Sequence, residues 1–252
     1  DFPEIEINEE LSPLVVKSAL LKRILSKTSF SMASQDVRYY LNGMLLEIQG
    51  DKLNGVATDG HRLAFSSAKS GNSELDVRNI LPRKAVLELA KLLSPGENEI
   101  NLLIGPSYVE VKTDNLSFSS KLIDGKYPDY DKVFPTGNPL PLEIDKETLQ
   151  AALSRASVLS NEKYRGVRFQ LSANKLKLTA NNPEQESAEE ELNVDYSGTD
   201  LEVGFNIGYL LDVLNSIEGN SVNFEFYGED SSCIIKEKGS GDDVYVIMPM
   251  RL

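Results

Sequence analysis

The sequence predicts an α+β fold built from two tandem copies of one domain. The segment "LSKTSF…NGMLLEIQGDKLNGVAT" from Leu25 resembles "LSRASV…RGVRFQLSANKLKLTAN" from Leu153. Within these segments Gly43 matches Gly166, at an offset of 123 residues that also relates Gly96 to Gly219. Each copy combines two helical apolar patterns with several alternating strand patterns. We therefore expect each copy to pack two helices on about eight antiparallel strands.

The first copy contains two predicted helices. The first is predicted from about Ser12 to Thr28, with Ser12 as N-cap and Pro13 at the first helical position. Its apolar stripe is formed by Leu21, Ile24, Leu25 and Thr28. The second helix is predicted to begin at Pro82. Its stripe is formed by Val86, Leu89, Ala90 and Leu93.

The second copy repeats this helical plan. Asp145 is the predicted N-cap of its first helix, whose stripe is Leu149, Ala152, Leu153 and Ala156. The next helix is predicted to begin at Asn206. Its stripe is Leu210, Val213, Leu214 and Ile217.

Alternating apolar and polar residues predict the strands of both copies. In copy one they are "MLLEIQ", "LNGVAT", "INLLIG", "YVEVKT" and "LSFSSKLI", and in copy two "VRFQLS", "LKLTA", "VNFEFY", "SCIIKE" and "VYVIMP". The segments "GDKL" and "ANKL" are the predicted hairpin turns. These patterns divide the chain into a linker (1–12), a middle domain (13–130) and a C-terminal domain (131–252).

Composition limits the classes of protein to consider. The net charge is −13, and it is uneven: residues 1–130 carry 15 basic and 18 acidic residues, whereas residues 131–252 carry 11 and 21. Such a chain should be repelled by DNA and by anionic membranes as a whole molecule. The single cysteine cannot form an internal disulfide, which suits a reducing compartment. No apolar run approaches the length of a membrane span, so we expect a cytoplasmic protein.

The sequence lacks the usual catalytic and cofactor motifs. It contains neither of the common glycine-rich nucleotide-binding motifs, and one histidine and one cysteine cannot build an ordinary zinc site. We therefore predict no catalytic residue, no metal and no cofactor. A site built only from carboxylates stays open, although Asp59, Asp124 and Asp129 are more typical of turns. The cluster from Glu184 to Glu191 is more typical of a solvated loop than of a site.

Basic and aromatic residues nevertheless group in the first copy. The first predicted helix carries Lys17, Lys22, Arg23 and Lys27 without an acid, and Arg83 and Lys84 open the second helix, where a cation opposes the helix dipole. The loop "SQDVRYY" adds Gln35, Arg38, Tyr39 and Tyr40. Such a mixture suits contact with phosphates and bases, but a solubilising helix face with two half-buried tyrosines explains it equally well.

Several segments together resemble the bacterial sliding clamp, the β subunit of DNA polymerase III. They are "SFSMASQDVRYYLNGM", "VATDGHRLA", "KLIDGKYPDYDKVFP", "LSNEKYRGVR", "TANNPEQE" and the closing "YVIMPMRL". The resemblance covers essentially the whole chain, in order, and agrees with the internal repeat. Subunits of this family contain three copies of one domain, and the present segments match the second and third. "DFPEIE" resembles the link that leaves the first domain.

The resemblance implies tethering without catalysis. In the family, two subunits close head to tail into a ring around duplex DNA, and the first domain of one subunit meets the third of the other. This chain alone is therefore expected to be mainly monomeric. A ring holds DNA topologically and needs little direct affinity, which fits the acidic net charge. The resemblance implies that Gln35, Arg38, Tyr39, Tyr40, Arg83 and Lys84 face or approach DNA.

The resemblance also implies a binding pocket for partner peptides between the second and third domains. Replicative and repair polymerases, the clamp loader and mismatch-repair proteins would insert a linear motif there. The matching positions are Leu41, Thr58, Gly60, His61, Arg62, Leu63, Pro128, Lys132, Val133, Tyr164, Asn206, Tyr209, Val246, Met248, Pro249, Met250 and Arg251. Without the resemblance, the tail would be a final core strand and His61 a core or turn residue. Lys132 and Asp230 depart from the expected pattern, which affects peptide preference.

Two other functions stay open at this stage. A carboxylate-based hydrolase or metal-dependent enzyme would need convergent acids around a divalent ion in a cleft. An interaction scaffold without a role in DNA metabolism would leave polymerase processivity unchanged. The clamp interpretation is preferred because it accounts for the repeat, the charge and the apolar tail together.

Overall fold

The computed structural model describes residues 9–71, 74–239 and 241–251 of the 252-residue chain. The chain divides into two compact units. Unit 1 comprises Asp1–Gly60 and Ala64–Pro128, and unit 2 comprises His61–Leu63 and Asp129–Leu252. Most of the predicted linker 1–12 lies outside the described residues.

In unit 1, the described residues form eight strands and two α-helices. The elements are β1 (Ser12–Lys17), α1 (Ser18–Thr28), β2 (Gly43–Gln49), β3 (Lys52–Thr58), β4 (Arg62–Lys69), β5 (Asp76–Pro82), α2 (Arg83–Leu92), β6 (Glu99–Ile104), β7 (Tyr108–Lys112) and β8 (Ser117–Lys121). The first two residues of β4 group with unit 2. Short 3-10 helices follow α1 at Ser29–Ser31 and precede β2 at Tyr39–Leu41.

Unit 2 contains the same number of strands and helices in its described part. The elements are β9 (Leu140–Asp145), α3 (Lys146–Ser157), β10 (Gly166–Ser172), β11 (Lys175–Asn181), β12 (Ser187–Asn193), β13 (Leu201–Asn206), α4 (Ile207–Ser216), β14 (Ser221–Phe226), β15 (Cys233–Glu237) and β16 (Asp243–Ile247). A 3-10 helix at Tyr130–Val133 precedes β9. In the described part of the chain, no helix is long and apolar enough to cross a membrane.

The two units repeat one topology. In unit 1 the neighbouring strands are β1-β6-β7-β8 and β5-β2-β3-β4, and in unit 2 they are β9-β14-β15-β16 and β13-β10-β11-β12. The hairpin β2–β3 pairs Ile48 with Leu53, and the hairpin β10–β11 pairs Leu171 with Leu176, so the equivalent pairs are 123 residues apart. The predicted α+β fold with two tandem copies is confirmed.

Helices α1 and α2 cover the core of unit 1, while α3 and α4 play the same part in unit 2. Every residue of the predicted stripes on α1, α3 and α4 is buried. Of the predicted α2 stripe, Val86, Leu89 and Leu93 are buried, and Ala90 is partly buried. Two of the predicted caps act through their side chains: the Asp145 carboxylate accepts a hydrogen bond from the Thr148 amide (2.8 Å), and Asn206 accepts one from the Tyr209 amide (3.2 Å). Hydrogen bonds from the Thr148 hydroxyl (2.6 Å) and the Thr148 amide hold the pKa of Asp145 below its ordinary value.

The prediction of a helix beginning at Ser12 was wrong. Residues Ser12–Lys17 form a strand that pairs antiparallel with β6, and the helix begins only at Ser18. Leu14 and Val16 are buried, whereas Val15 and Lys17 are exposed, so the burial alternates with the strand period. Pro13 is compatible with this strand because β1 lies at the edge of its sheet.

The interpretation of Glu184 to Glu191 as a loop was also wrong for its second half. Residues Ser187–Asn193 form the edge strand β12, which pairs with β11. Its acids form ion pairs with cations of the same unit: Glu190 with Arg155 (2.7 Å), Glu191 with Lys175 (2.7 Å) and Glu189 with Lys177 (2.9 Å). The burial still alternates along β12, with Ala188, Glu190 and Leu192 less exposed than their neighbours, so this acidic segment keeps the period of a strand.

Candidate functional site

The apolar C-terminal tail is tied to two other segments of unit 2. The Met248 amide donates a hydrogen bond to the carbonyl of His61 (3.0 Å), and the Met250 amide donates one to the carbonyl of Gly204 in β13 (2.9 Å). These two hydrogen bonds fix the backbone of the tail, so the side chains of Met248 and Met250 start from defined backbone positions. Met248 stays 37% exposed, so part of this residue is accessible from solvent.

A short loop brings Tyr164 into the same unit-2 region. The Asn161 side-chain oxygen accepts hydrogen bonds from the amides of Lys163 and Tyr164 (2.9 Å each), which closes a tight turn. The Asn206 amide group donates to the Tyr164 carbonyl (3.3 Å). Asn206 thus caps α4 and ties this loop to it, while the Tyr164 ring remains 57% exposed.

A groove of about 370 Å³ opens beside the tail, and it lies entirely within unit 2. Its lining mixes apolar and polar side chains: Asn161, Tyr164, Gly166, Arg168, Thr179, Asn181, Met250 and Arg251. Three of the predicted pocket residues (Tyr164, Met250 and Arg251) are therefore brought together. The volume and mixed lining are typical of a site for a few side chains of a peptide.

Arg62 and Tyr209 contact each other within unit 2. The Arg62 guanidinium lies over the Tyr209 ring, 4.4 Å from its centroid, and donates a hydrogen bond to the Asp212 carboxylate (2.5 Å). Of the remaining predicted positions in this unit, Leu63 and Val246 are buried, Val133 and Pro249 are half-buried, and His61 is exposed. Lys132 is exposed and pairs with Asp129 (2.9 Å).

Four of the predicted pocket residues lie in unit 1. The Thr58 amide donates to the Tyr127 hydroxyl (3.1 Å), and the Thr58 hydroxyl accepts from the Gly60 amide (3.1 Å). These bonds shape the turn at the end of β3. Desolvation raises the pKa of the Tyr127 hydroxyl, which stays protonated. Leu41 is buried and Pro128 is exposed.

The predicted DNA-facing residues occupy unit 1, but their charges are partly neutralised. Arg38 forms a two-pronged ion pair with Asp36, at 3.0 and 2.8 Å, and a hydrogen bond to the Asp59 carbonyl (3.2 Å). The neighbouring Tyr39 is 57% exposed and contacts Tyr40 edge to face, with 5.8 Å between ring centroids. This loop therefore exposes an aromatic ring beside an arginine whose charge is balanced by Asp36.

Three cations of the two unit-1 helices donate hydrogen bonds to backbone carbonyls. Lys22 donates to the carbonyl of Leu93 (2.7 Å) at the end of α2, where the helix dipole favours a cation. Arg23 donates to Ser67 (2.6 Å) and Arg83 to Met32 (3.0 Å). These bonds explain why the cations are tolerated, including Arg83 at a helix N-terminus. Lys84 is exposed and Gln35 has a left-handed backbone with φ of 60°.

Sequence reasoning missed several residues around these features. Asp212, Asn161, Arg168, Thr179 and Asn181 were not predicted for any site. The spacing of Tyr209 and Asp212 on α4 places both on one helix face, which was a usable signal. Among the residues that the structure describes, no group of three or more His, Cys, Asp or Glu side chains could hold a metal ion.

Comparisons with known proteins agree with this architecture. Residues 15–129 match the family "DNA polymerase III beta subunit, central domain", and residues 131–251 match "DNA polymerase III beta subunit, C-terminal domain". The Beta sliding clamp of Pseudomonas putida is 47% identical over the whole chain, which spans 69% of that relative.

Solved structures give the same result. The DNA polymerase III subunit beta from Pseudomonas aeruginosa superposes with a TM-score of 0.97 at 48% identity, covering 100% of this chain and 69% of that one. The sliding clamp of the same organism bound to griselimycin superposes with a TM-score of 0.96 at 48% identity, covering 100% and 68%.

Proposed function

Because the chain belongs to the DNA polymerase III β-subunit family of bacterial sliding clamps, we propose that it supplies the partner-binding part of a ring that tethers polymerases to duplex DNA. Sliding clamps of this family are non-catalytic processivity factors. The observation that carries the proposal is the match of both halves of the chain to consecutive clamp domains. The tether acts by raising the effective concentration of a polymerase at the primer end.

The partner site is proposed to include the tail, the Tyr164 loop and the Arg62–Tyr209 pair of unit 2. Methionine side chains adapt to differently shaped partners, and two of them sit on a backbone fixed by hydrogen bonds to His61 and Gly204. The groove beside Met250 is large enough for one or two side chains of a linear motif. Leu41, Thr58, Gly60 and Pro128 stay predicted members of this site from unit 1.

The partners proposed for this site are the replicative polymerase, the clamp loader, repair polymerases and mismatch-repair proteins, each through a linear motif. The crystal structure of the Pseudomonas aeruginosa clamp with griselimycin is an instance of a relative that binds a ligand. Peptide recognition suits the site because a few apolar anchors beside oriented polar groups give specificity without a large interface. A cytoplasmic location is proposed to accompany this function.

Direct affinity for DNA is proposed to be weak. Arg38 is compensated by Asp36 (2.8 Å), and the whole chain carries a net charge of −13. Few phosphates would therefore be neutralised, and the affinity of DNA-binding proteins depends mainly on such contacts. A ring needs only a compatible lining, and Gln35, Tyr39, Tyr40, Arg83 and Lys84 are proposed to contribute to it.

Ring closure is proposed to proceed by homodimerisation of the full subunit. Strand β12 is suited to it because it ends the order β12-β11-β10-β13 and so leaves one row of backbone groups for another strand. Its charged side chains, including the Glu189–Lys177 and Glu191–Lys175 pairs, would disfavour random pairing with other strands.

A competition assay tests the proposed function. Excess chain added to primer extension by a full-length clamp and its matching polymerase is expected to shorten the products, because it captures the motif of the polymerase. A chain ending at Pro249 is the control, and it should inhibit much less. Product lengths that stay unchanged at a large excess of folded chain would contradict the proposal.

A further inference from the structure

The groove beside Met250 differs in charge from the domain that contains it. Its lining includes two arginines, two asparagines and a threonine, namely Asn161, Arg168, Thr179, Asn181 and Arg251. None of the eight residues that line it is acidic. Residues 131–252 as a whole, by contrast, carry 11 basic and 21 acidic residues. Acids are thus absent from the described lining of this groove, although they are abundant around it.

The two arginines of the groove differ in how far their charge is compensated. Nη1 of Arg168 donates a hydrogen bond to the Glu202 carboxylate (2.6 Å). The other guanidinium nitrogens of Arg168 are left for another acceptor. Arg251 is exposed, and it forms no ion pair with any residue that the structure describes. The groove therefore holds one cation that no described carboxylate balances.

The neutral residues of the groove add further hydrogen-bond donors. The Asn161 side-chain oxygen already accepts from the amides of Lys163 and Tyr164 (2.9 Å each), so its amide group is the part left for a ligand. The Thr179 hydroxyl is buried and has no hydrogen-bond partner in the part of the chain that the structure describes. Thr179 pairs across the sheet with Arg168. Since water or a ligand normally completes a buried hydroxyl, and since donors here outnumber acceptors, an acceptor-rich group such as a carboxylate suits this groove.

An adjoining groove of about 340 Å³ has the opposite character. It shares Arg168, Met250 and Arg251 with the first groove. The residues that it adds include three acids, namely Glu202, Glu229 and Asp230. Because like charges brought together oppose binding, a carboxylate is disfavoured in this second groove and favoured in the first. The contrast restricts where an acidic group can lie along the tail.

We propose that the groove beside Met250 is a subsite for a carboxylate, supplied by an acidic residue that flanks the apolar anchors of a partner peptide. Arg251 is the charged donor to this carboxylate, and Arg168, Asn161 and Thr179 offer the further hydrogen bonds. Hydrogen bonds between arginine and a carboxylate are stronger than those between neutral groups. The inference rests on the proposed peptide-binding function and adds a preference for acidic flanking residues to it.

A phosphate of DNA would offer the same acceptors and is the alternative occupant. The excess of acidic residues in residues 131–252 repels a polyanion more strongly than it repels a single carboxylate. Met250 also brings an apolar side chain to the same groove, which suits a peptide in which an apolar anchor lies close to an acid. Both features favour the peptide.

The test uses the full chain and labelled peptides, with affinities measured by fluorescence polarisation. Each peptide contains a motif with Gln first and Leu-Phe near its end, and carries three Glu or three Gln residues on one side of this motif. For one of the two sides, the Glu peptide is expected to bind at least about threefold more tightly than the Gln peptide, because it gains a charge-assisted hydrogen bond to a partly exposed arginine. For the other side, the Glu peptide should bind no more tightly than the Gln peptide.

Three variants assign this preference to the groove. Arg251→Gln should bring the ratio of Glu to Gln affinities close to one. Lys238→Gln is the matched control, since it removes the same charge from an exposed residue that pairs with Glu143 (2.7 Å) outside the groove, and it should leave the ratio as in the wild type. Thr179→Val keeps the side-chain shape and removes the buried hydroxyl. It should lower the ratio without a loss of stability, because no described group depends on this hydroxyl.

The possible outcomes separate this inference from the proposed function. If the Gln peptides bind, but the Glu peptides bind no more tightly on either side, the inference is overturned while the peptide-binding function stands. An equal ratio in the wild type and in Arg251→Gln would overturn it as well. Displacement of the labelled peptide by a single-stranded oligonucleotide at lower concentration than by the unlabelled Glu peptide would assign the groove to DNA. Failure of the folded chain to bind any of the peptides would overturn the proposed function and this inference with it.

Discussion

Replacing Phe169 by alanine is expected to lower the free energy of unfolding of unit 2 by about 3–5 kcal/mol. Phe169 is fully buried at the centre of an aromatic group. Its ring lies 5.4 Å from that of Phe205, edge to face, and 6.3 Å from that of Phe224, which stacks on Phe226. Alanine would leave a cavity that these rings cannot fill, because each is held by its other neighbours.

Urea denaturation followed by far-ultraviolet circular dichroism measures this effect, since the chain contains no tryptophan for fluorescence. Phe118→Ala is the matched control, because Phe118 packs only partly buried against the core of unit 1. We expect it to cost less than half as much. A loss below about 1 kcal/mol for Phe169→Ala would show that the aromatic group does not hold unit 2 together.

Ending the chain at Pro249 is expected to weaken binding of a labelled clamp-binding peptide at least tenfold, which corresponds to about 1.4 kcal/mol. The deletion removes Met250 and Arg251 from the groove wall and takes away the hydrogen bond from the Met250 amide to Gly204. The remaining groove would be shallower and its edge less fixed. Fluorescence polarisation with the intact and the shortened chain measures the change.

Met250→Leu is the control for this deletion, because it keeps an apolar side chain of similar volume. It should retain affinity within about threefold of the wild type, as a change below 1 kcal/mol allows. Both variants should unfold at nearly the same urea concentration as the wild type. If the shortened and the intact chain bind the labelled peptide with equal affinity, the tail contributes to packing and not to peptide binding.

The repeat made most of the fold predictable from the sequence. A constant offset relates Gly43 to Gly166, and the hairpins that contain them have the same register. Helix positions followed from apolar stripes and from caps such as Asp145 and Asn206, whose polar groups act over three residues. Apolar stripes and helix caps involve residues that are close together in the chain, so they can be recognised from the sequence alone.

Other elements depended on contacts that no local pattern contains. Ser12 and Pro13 have the chemistry of a helix start, but pairing of β1 with β6, about 90 residues away, made this segment a strand. The acids of β12 resembled a loop, but the segment pairs with β11 along its whole length, and its acids are compensated by cations of β11 and α3. Tertiary context overrode propensity in both cases.

The candidate site also combines features that the sequence predicted with contacts that it did not predict. The apolar tail and Tyr164 were predicted for a pocket, and both lie at one groove of unit 2. The contact between Arg62 and Asp212 was not predicted, because 150 residues separate them in the chain. Only the folded structure brings such residues together, and no sequence pattern around either residue indicates the pair. The partner of a cation is therefore the hardest part of a site to predict.

The most direct test of the account is a titration of the intact chain against a labelled peptide with Gln first and Leu-Phe near its end, followed by fluorescence polarisation. The same peptide with alanine at both apolar positions is the control. We expect saturable binding of the first peptide and an affinity at least tenfold lower for the second. No saturable binding by the folded chain, or equal binding of both peptides, would contradict the claim that this chain carries the partner site of a sliding clamp.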